Sequence, residues 1–424
     1  MRILWLVNIV MPELAEHLGR TPSVFGGWLT GAMNAVRESG NELIVCTTER
    51  RADVLHETVG NIEYYLVPSG TVEDMEAYFN TILQVHRPDV VHIYGTEYSH
   101  ALSMARAADS KKLLVTIQGA MTYLHSAVYA GIPPEKCRDT VLHKLLRLLH
   151  KGGESIALQR QSFKRRAVAE QEVLLRAKYI NGGSHWGDVV ARSINPDCRV
   201  MSCGLVLRPE FYTDLHWTPY TCERHSIFTL FSYPIKGFHK FLEALRLVVS
   251  EFPDTIVYVV SNKLPFRHYT GLKRHIMNMA PDYNWYVQGL IESYELQEHL
   301  VFLGHLSAAQ VRDRMLKCNV FVSASAIENQ STTLGEAMIL GVPSIASCVG
   351  AIQEVIEDGR NGFLYPFSEP YLLADKIITI FSDDELAVAF SDAAKARSQY
   401  IYDREQNLQS LLNIYNSIAE ESIQ

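Results

Sequence analysis

The chain contains no run of ~18 uninterrupted apolar residues, no Cys-x2-Cys pair, no Gly-x-Gly-x-x-Gly after its first apolar stretch, and no repeat or low-complexity tract. Each absence excludes something. Without the long apolar run, nothing reads as a membrane-crossing helix. The seven cysteines (Cys46, Cys137, Cys198, Cys203, Cys222, Cys318 and Cys348) are scattered and odd in number, which gives no zinc site and suits a reducing cytosol. Lack of the glycine fingerprint disfavours a nicotinamide dehydrogenase. Charged residues make up 20% and apolar ones 47% of 424 residues, which argues against wholesale disorder and leaves room for two or three domains. A formal charge of −8 disfavours general nucleic-acid binding. The opening Met1 to Val7 stops being apolar near Met11 and has no small-residue cleavage site, so it reads as a buried first strand and not as a signal sequence.

What is present is alternation. Ile3 to Val7, Glu42 to Thr47, Val90 to Tyr94, Leu113 to Ile117 and Ala177 to Ile180 read as strands, with a helix over Trp28 to Ser39 ending at Gly40. The strands are apolar on both faces, as a parallel sheet covered by helices requires. Around 201–221, with Gly204, Pro209 and Pro219, periodicity lapses and a linker is expected. Alternation then restarts with strands at Ile227 to Phe231, Thr255 to Val260, Val301 to Leu303, Val320 to Val322, Ser344 to Ala346 and Phe363 to Tyr365, and a helix over Phe238 to Glu251. Leu408, Leu411, Leu412, Tyr415 and Ile418 are spaced as on an amphipathic final helix.

The stretch Ile327 to Met338 places two carboxylates, Glu328 and Glu336, either side of a helix start. Ser331 is the expected N-cap, and the amides near Thr332, Thr333 and Leu334 then face a ligand at the positive end of the helix dipole, where phosphate binds. Carboxylates repel phosphate and are better used to accept hydroxyl groups. A phosphate flanked by sugar hydroxyls is a sugar nucleotide. Lys236, beside Gly237 at a strand-to-helix turn, supplies a point charge for a diphosphate. Gly26 and Gly27 before the first long helix permit close approach of backbone to phosphate.

This order of residues resembles the retaining glycosyltransferases of the GT-B architecture, family 4 (glycosyl transferase group 1). The resemblance rests on Glu328 and Glu336 as a Glu-x7-Glu pair, Leu334 to Met338, Gly341-Val342-Pro343, Ser347 to Gly350, and Glu354 to Leu364. It implies two Rossmann-like domains, with parallel sheets facing an interdomain cleft. They would be an acceptor domain over 1–205, a linker over 206–221, a donor domain over 222–395, and a terminal helix over 396–424 crossing back to the first domain. It also implies Glu328 orienting the donor sugar, Glu336 holding ribose hydroxyls, and Gly26 and Gly27 as a donor-phosphate loop. The donor would be a UDP- or GDP-sugar, with no cofactor or metal, since lysine and helix dipole serve the diphosphate. The arginine that normally stands upstream of Lys236 is absent, and Ser232 and Tyr233 occupy that neighbourhood.

Two further positions stand at strand ends. Gln118 replaces a histidine found in many relatives and can only hydrogen-bond a sugar. Glu97 is a candidate base by position and equally a cap for the next helix, and His92 is equally a core residue. Trp186, in Gly182 to Asp188, stands either in the core or against a sugar face, and the segment resembles bacterial capsule and exopolysaccharide enzymes, as do Phe211, Tyr212 and Trp217. Between Lys136 and Lys178, eleven basic residues stand against four acidic ones. The amphipathic pattern there reads either as a packed helix or as a contact for anionic lipid through Lys144, Arg147, Lys151, Lys164, Arg165 and Arg166. The expected activity is transfer of a hexosyl unit from a nucleotide diphosphate sugar to a saccharide or lipid-linked acceptor, in the cytoplasm or on the inner face of the membrane, in surface polysaccharide synthesis. A sugar-nucleotide epimerase and a non-catalytic nucleotide-sugar-binding subunit are the alternatives.

Overall fold

The computed structural model describes residues 1–22, 27–149, 154–261 and 270–422. They divide into two compact units. The first comprises Met1–Thr122, Arg165–Pro209 and Ile401–Gln424, and the second comprises Tyr123–Lys164 and Glu210–Tyr400. The segment 123–164 therefore groups with the second unit, while the final helix groups with the first.

The first unit is built on an eight-stranded sheet. Its strands are β1 (Arg2–Leu6), β2 (Glu42–Glu49), β3 (Leu55–Val59), β4 (Ile62–Pro68), β5 (Val90–Tyr94), β6 (Leu113–Thr116), β7 (Tyr179–Asn181) and β8 (Arg199–Val200). They lie in the order β3-β4-β2-β1-β5-β6-β7-β8, all parallel except β3, which runs antiparallel to β4. β1 is central: Ile3 to Leu6 are fully buried, as strands covered on both faces must be. The β3 and β4 pair was not apparent in the sequence, where this stretch is polar. Its outer face carries His56, Thr58 and Glu63, so no continuous apolar run marks it.

The final helix, Arg404–Glu421, is part of this unit's core. Leu411, Ile414, Tyr415 and Ile418 join Trp5, Val45 and Tyr94 in one apolar cluster. Polar bonds fix its register. The buried Tyr415 hydroxyl accepts from Trp5 Nε1 (3.0 Å) and donates to His92 Nδ1 (2.7 Å), and His92 Nε2 then donates to Thr116 Oγ1 (2.8 Å). Burial lowers the His92 pKa to about 3, so the ring is neutral and structural.

The second unit has six parallel strands in the order β11-β10-β9-β12-β13-β14. They are β9 (Glu223–Leu230), β10 (Ile256–Val260), β11 (Leu300–Gly304), β12 (Cys318–Ser323), β13 (Ser344–Ser347) and β14 (Phe363–Tyr365). Phe228, Phe231, Phe238 and Phe241 are fully buried, and the Phe231 ring meets that of Phe238 in the helix Phe238–Glu251 (5.0 Å between centroids). Trp217 is anchored here through Nε1 to the Cys318 carbonyl (2.7 Å), so the chain after Pro209 already belongs to the second unit. The segment 123–164 is tied in by His239 Nε2 on the Ala130 carbonyl (2.7 Å) and His143 Nε2 on the Pro281 carbonyl (3.2 Å). The described residues contain no helix long and apolar enough to cross a membrane.

Candidate active site

Adjacent parallel strands β9 and β12 end side by side, and the turns that leave them form the site. After β9 the chain makes a tight turn, Pro234–Lys236, closed by Gly237 at φ +66. A β-carbon on Gly237 would lie 1.7 Å from the Ala324 carbonyl oxygen, so only glycine lets this turn close onto the end of β12. Ala326 N donates to the Ile235 carbonyl across the same gap (2.7 Å).

Lys236 is thereby carried to Glu328, and its Nζ pairs with Oε1 of that residue. Ser325 Oγ donates to the same oxygen (2.6 Å). The main chain of Glu328 is braced from below, since its carbonyl accepts from Ala351 N (3.1 Å) and Ser347 Oγ bonds the Ser325 carbonyl. The Ser347 to Gly350 motif therefore acts as a buttress for Glu328.

The helix Thr332–Ile339 begins at the expected N-cap, with Ser331 Oγ accepting from Leu334 N (3.4 Å). Thr332 and Thr333 are its first two residues, so their amides have no intrahelical acceptor. A cavity of about 160 Å³ is lined by Lys236, Ser325, Glu328, Ser331, Thr332 and Thr333, together with Thr229 and Ser323 from the ends of β9 and β12. Of its lining residues Lys236 is the single cation. This cavity offers one ammonium, a helix start, a carboxylate and several hydroxyls, the chemistry of a site for an anion next to a polyol. Ser325 was not singled out in the sequence. Its position three residues before Glu328, in the exit from a strand, is a signal that could have found it.

Other expected positions fall elsewhere. Leu334 and Glu336 are buried behind the helix start, and Glu336 has no exposed surface, so its carboxylate does not line the cavity. Gly26 lies outside the described residues, while Gly27 begins the helix Gly27–Glu38. At the vacant arginine position Tyr233 is half exposed, with its ring edge-on to Phe163 (6.5 Å between centroids).

In the first unit, Glu97 and Gln118 stand after β5 and β6. Glu97 does not cap the next helix: the helix Ser99–Ala107 has no side-chain cap, and Glu97 Oε2 is buried without a hydrogen-bond partner. Burial pushes its carboxyl up to about 7, with Arg166 opposing and Glu170 adding to the rise. The Glu97 carbonyl accepts from Arg166 Nε (2.9 Å). Gln118 is half-buried and accepts from Asn8 Nδ2 (3.2 Å). Trp186 is half-buried in the helix His185–Ile194.

The sequence profile of the family "Glycosyl transferases group 1" matches residues 230–397, the stretch that carries Lys236, Glu328 and the helix start. A phosphatidyl-myo-inositol mannosyltransferase of Mycobacterium leprae is 27% identical over 187 residues, 44% of this chain and 44% of that protein. The matched part thus spans less than half the length of such curated relatives. In three dimensions the chain superposes on sucrose-phosphate synthase from Thermosynechococcus elongatus with a TM-score of 0.70 at 16% identity, covering 99% of both chains. It superposes on Anabaena HepE in complex with UDP and glucose with a TM-score of 0.64 at 18% identity, covering 98% of this chain and 100% of the other. The fold is the GT-B fold, with two Rossmann-like domains of parallel strands.

Proposed function

We propose that the chain is a retaining glycosyltransferase that moves a hexosyl unit from a UDP- or GDP-sugar to a saccharide or lipid-linked saccharide acceptor in surface polysaccharide synthesis. The observation that carries this reading is the convergence of Lys236, Glu328 and the Ser331–Thr333 helix start on one cavity within the matched segment. In the reaction the bond from the anomeric carbon to the phosphate oxygen breaks, and the acceptor oxygen bonds to that carbon on the same face. The acceptor's proton passes to the departing diphosphate. Lys236 and the amides of Thr332 and Thr333 stabilise the charge that grows on that diphosphate. Glu328 accepts donor-sugar hydroxyls. Glu336, buried behind the helix start, is assigned to the ribose hydroxyls. This scheme routes no step through a metal.

A thermal-shift screen of UDP, GDP and their hexoses tests the assignment, because a ligand that binds only the native state raises the melting temperature. Lys236→Ala should weaken nucleoside diphosphate binding at least tenfold, on the order of one charged contact. Glu328→Gln releases Lys236 and should bind the diphosphate at least as tightly, yet lose about 10²-fold in transfer. Glu336→Gln should reduce the shift. Equal shifts in wild type and Lys236→Ala would reject the diphosphate site, and an unchanged shift in Glu336→Gln would reject the ribose contact. Steady release of nucleoside diphosphate separates transfer from epimerisation and from silent binding.

Peripheral contact with anionic lipid is proposed through the helix Val141–Leu148, which exposes Val141, Leu145 and Leu148 beside Lys144. Lys164 and Arg165 are also exposed. Arg147 is committed to Asp139 (2.7 and 2.9 Å) and holds that carboxyl down to about 2, and Lys151 lies outside the described residues. Liposome sedimentation at low salt should favour anionic over neutral vesicles and weaken in Leu145→Ser/Leu148→Ser. Equal sedimentation with both vesicle types would contradict it.

A further inference from the structure

Three side chains from three adjacent central strands meet at Gly95. Asn8 follows β1, Glu97 follows β5 and Gln118 follows β6. A β-carbon on Gly95, whose φ is +91, would lie 2.4 Å from Asn8 Nδ2 and 2.9 Å from both Gln118 Oε1 and Glu97 Oε2. The carboxyl ends of such strands are where open parallel sheets bind ligands.

Behind this cluster runs a line of hydrogen bonds. His100 Nε2 lies 2.8 Å from Asn8 Oδ1, and His100 Nδ1 lies 3.2 Å from Thr48 Oγ1. An amide oxygen only accepts, so His100 carries its proton on Nε2, and its Nδ1 accepts from the Thr48 hydroxyl. Burial lowers the His100 pKa to about 4 and keeps the ring neutral. Asn8, with Oδ1 occupied, donates Nδ2 to Gln118 Oε1 (3.2 Å). The bonds all point one way, from Thr48 through His100 and Asn8 to Gln118. With Oε1 taken, Gln118 is left presenting its amide nitrogen, which has two protons to donate. Beside it Glu97 Oε2 is buried and has no hydrogen-bond partner.

We propose that Thr48, His100 and Asn8 form a positioning relay that fixes Gln118 as a hydrogen-bond donor opposite Glu97 Oε2, and that together they hold a sugar hydroxyl. A hydroxyl both accepts and donates, so one such group satisfies the Gln118 amide and the Glu97 oxygen at once. A buried acceptor without a partner is costly, and a bound hydroxyl recovers part of that cost. The choice of a sugar rests on the transferase reading, whereas the relay does not.

Asn8→Asp tests the relay with almost no change of shape. A carboxylate cannot donate, so Gln118 must turn its amide to donate to residue 8, and it then presents oxygen where nitrogen stood. Saturation-transfer NMR with methyl glucoside, mannoside and galactoside, and with their monodeoxy analogues, reads the outcome. Wild type should bind at least one hexoside and lose about tenfold for one deoxy analogue. In Asn8→Asp that discrimination should vanish, as it should in Gln118→Leu, whereas a purely structural weakening would lower every analogue together. Thr48→Val interrupts the relay at its far end and should cut the discrimination about threefold, which keeps the relay testable if Asn8→Asp does not fold. Nucleoside diphosphate binding at Lys236 should persist in all three variants, so failure here is distinguishable from failure of the donor site. Absence of hexoside binding in wild type, or unchanged discrimination in Asn8→Asp and Thr48→Val, would overturn the proposal.

Discussion

Lys236 and Glu328 neutralise each other across the cavity, so in the proposed reaction an entering diphosphate draws the ammonium away from the carboxylate. That exchange leaves Glu328 held by Ser325 and available to sugar hydroxyls. Lys236 is the single cation lining this cavity, so in the proposed reaction the leaving-group charge falls on it and the helix start. Glu97 shows the opposite situation, a carboxyl with no cation at its buried oxygen. Its pKa rises from the ordinary 4.5 to about 7. Below the ordinary value both folded and unfolded chains hold this proton. As pH climbs towards 7 the unfolded chain gives it up first, so the stability it contributes at low pH is lost across that window. The loss is roughly 3 kcal/mol at the usual conversion. Glu97→Gln should flatten this part of the stability profile in urea unfolding between pH 5 and 8. Parallel profiles for the two proteins would contradict the assignment.

Among the elements, the final helix makes the clearest case. Its apolar spacing was readable in the sequence, and the spacing delivers Leu411, Tyr415 and Ile418 to the core as a helix face must. What periodicity could not show was that Tyr415 reaches His92 and Trp5, more than three hundred residues earlier in the chain. Such partners are set by topology, and one sequence does not encode them locally. Tyr415→Phe leaves the Trp5 N–H and His92 Nδ1 buried without partners, so it should cost roughly 2–4 kcal/mol in urea unfolding. A loss below about 1 kcal/mol would mean that the network is dispensable. The helix Thr332–Ile339 was legible down to its N-cap, because capping is local chemistry. The β3 and β4 pair was not, because an edge pair with a polar outer face carries a weak apolar signal.

For the molecule as a whole, two parallel sheets were foreseeable from the restart of alternation after the linker region. Assignment of 123–164 to the second unit was not, since it depends on His239 and His143 finding the carbonyls of Ala130 and Pro281. The meeting of Lys236, Glu328 and Ser331 on one cavity was legible because they sit at fixed places after adjacent strands. Of the Gly95 cluster, Glu97 and Gln118 were legible as strand-end positions, whereas Asn8 and the His100 and Thr48 behind it were not, because the topology brings them together from another strand end and from the helix Ser99–Ala107. The reaction proposed at the Lys236 and Glu328 site is transfer of a sugar from a nucleotide diphosphate donor. Proton NMR of a turnover mixture, containing the donor that gives the largest thermal shift and a panel of hexoside acceptors, tests it most directly. Free nucleoside diphosphate should appear in step with a new glycosidic anomeric signal of the donor's own configuration, and both should be lost in Lys236→Ala. A product of inverted configuration, or equal turnover in Lys236→Ala, would contradict it.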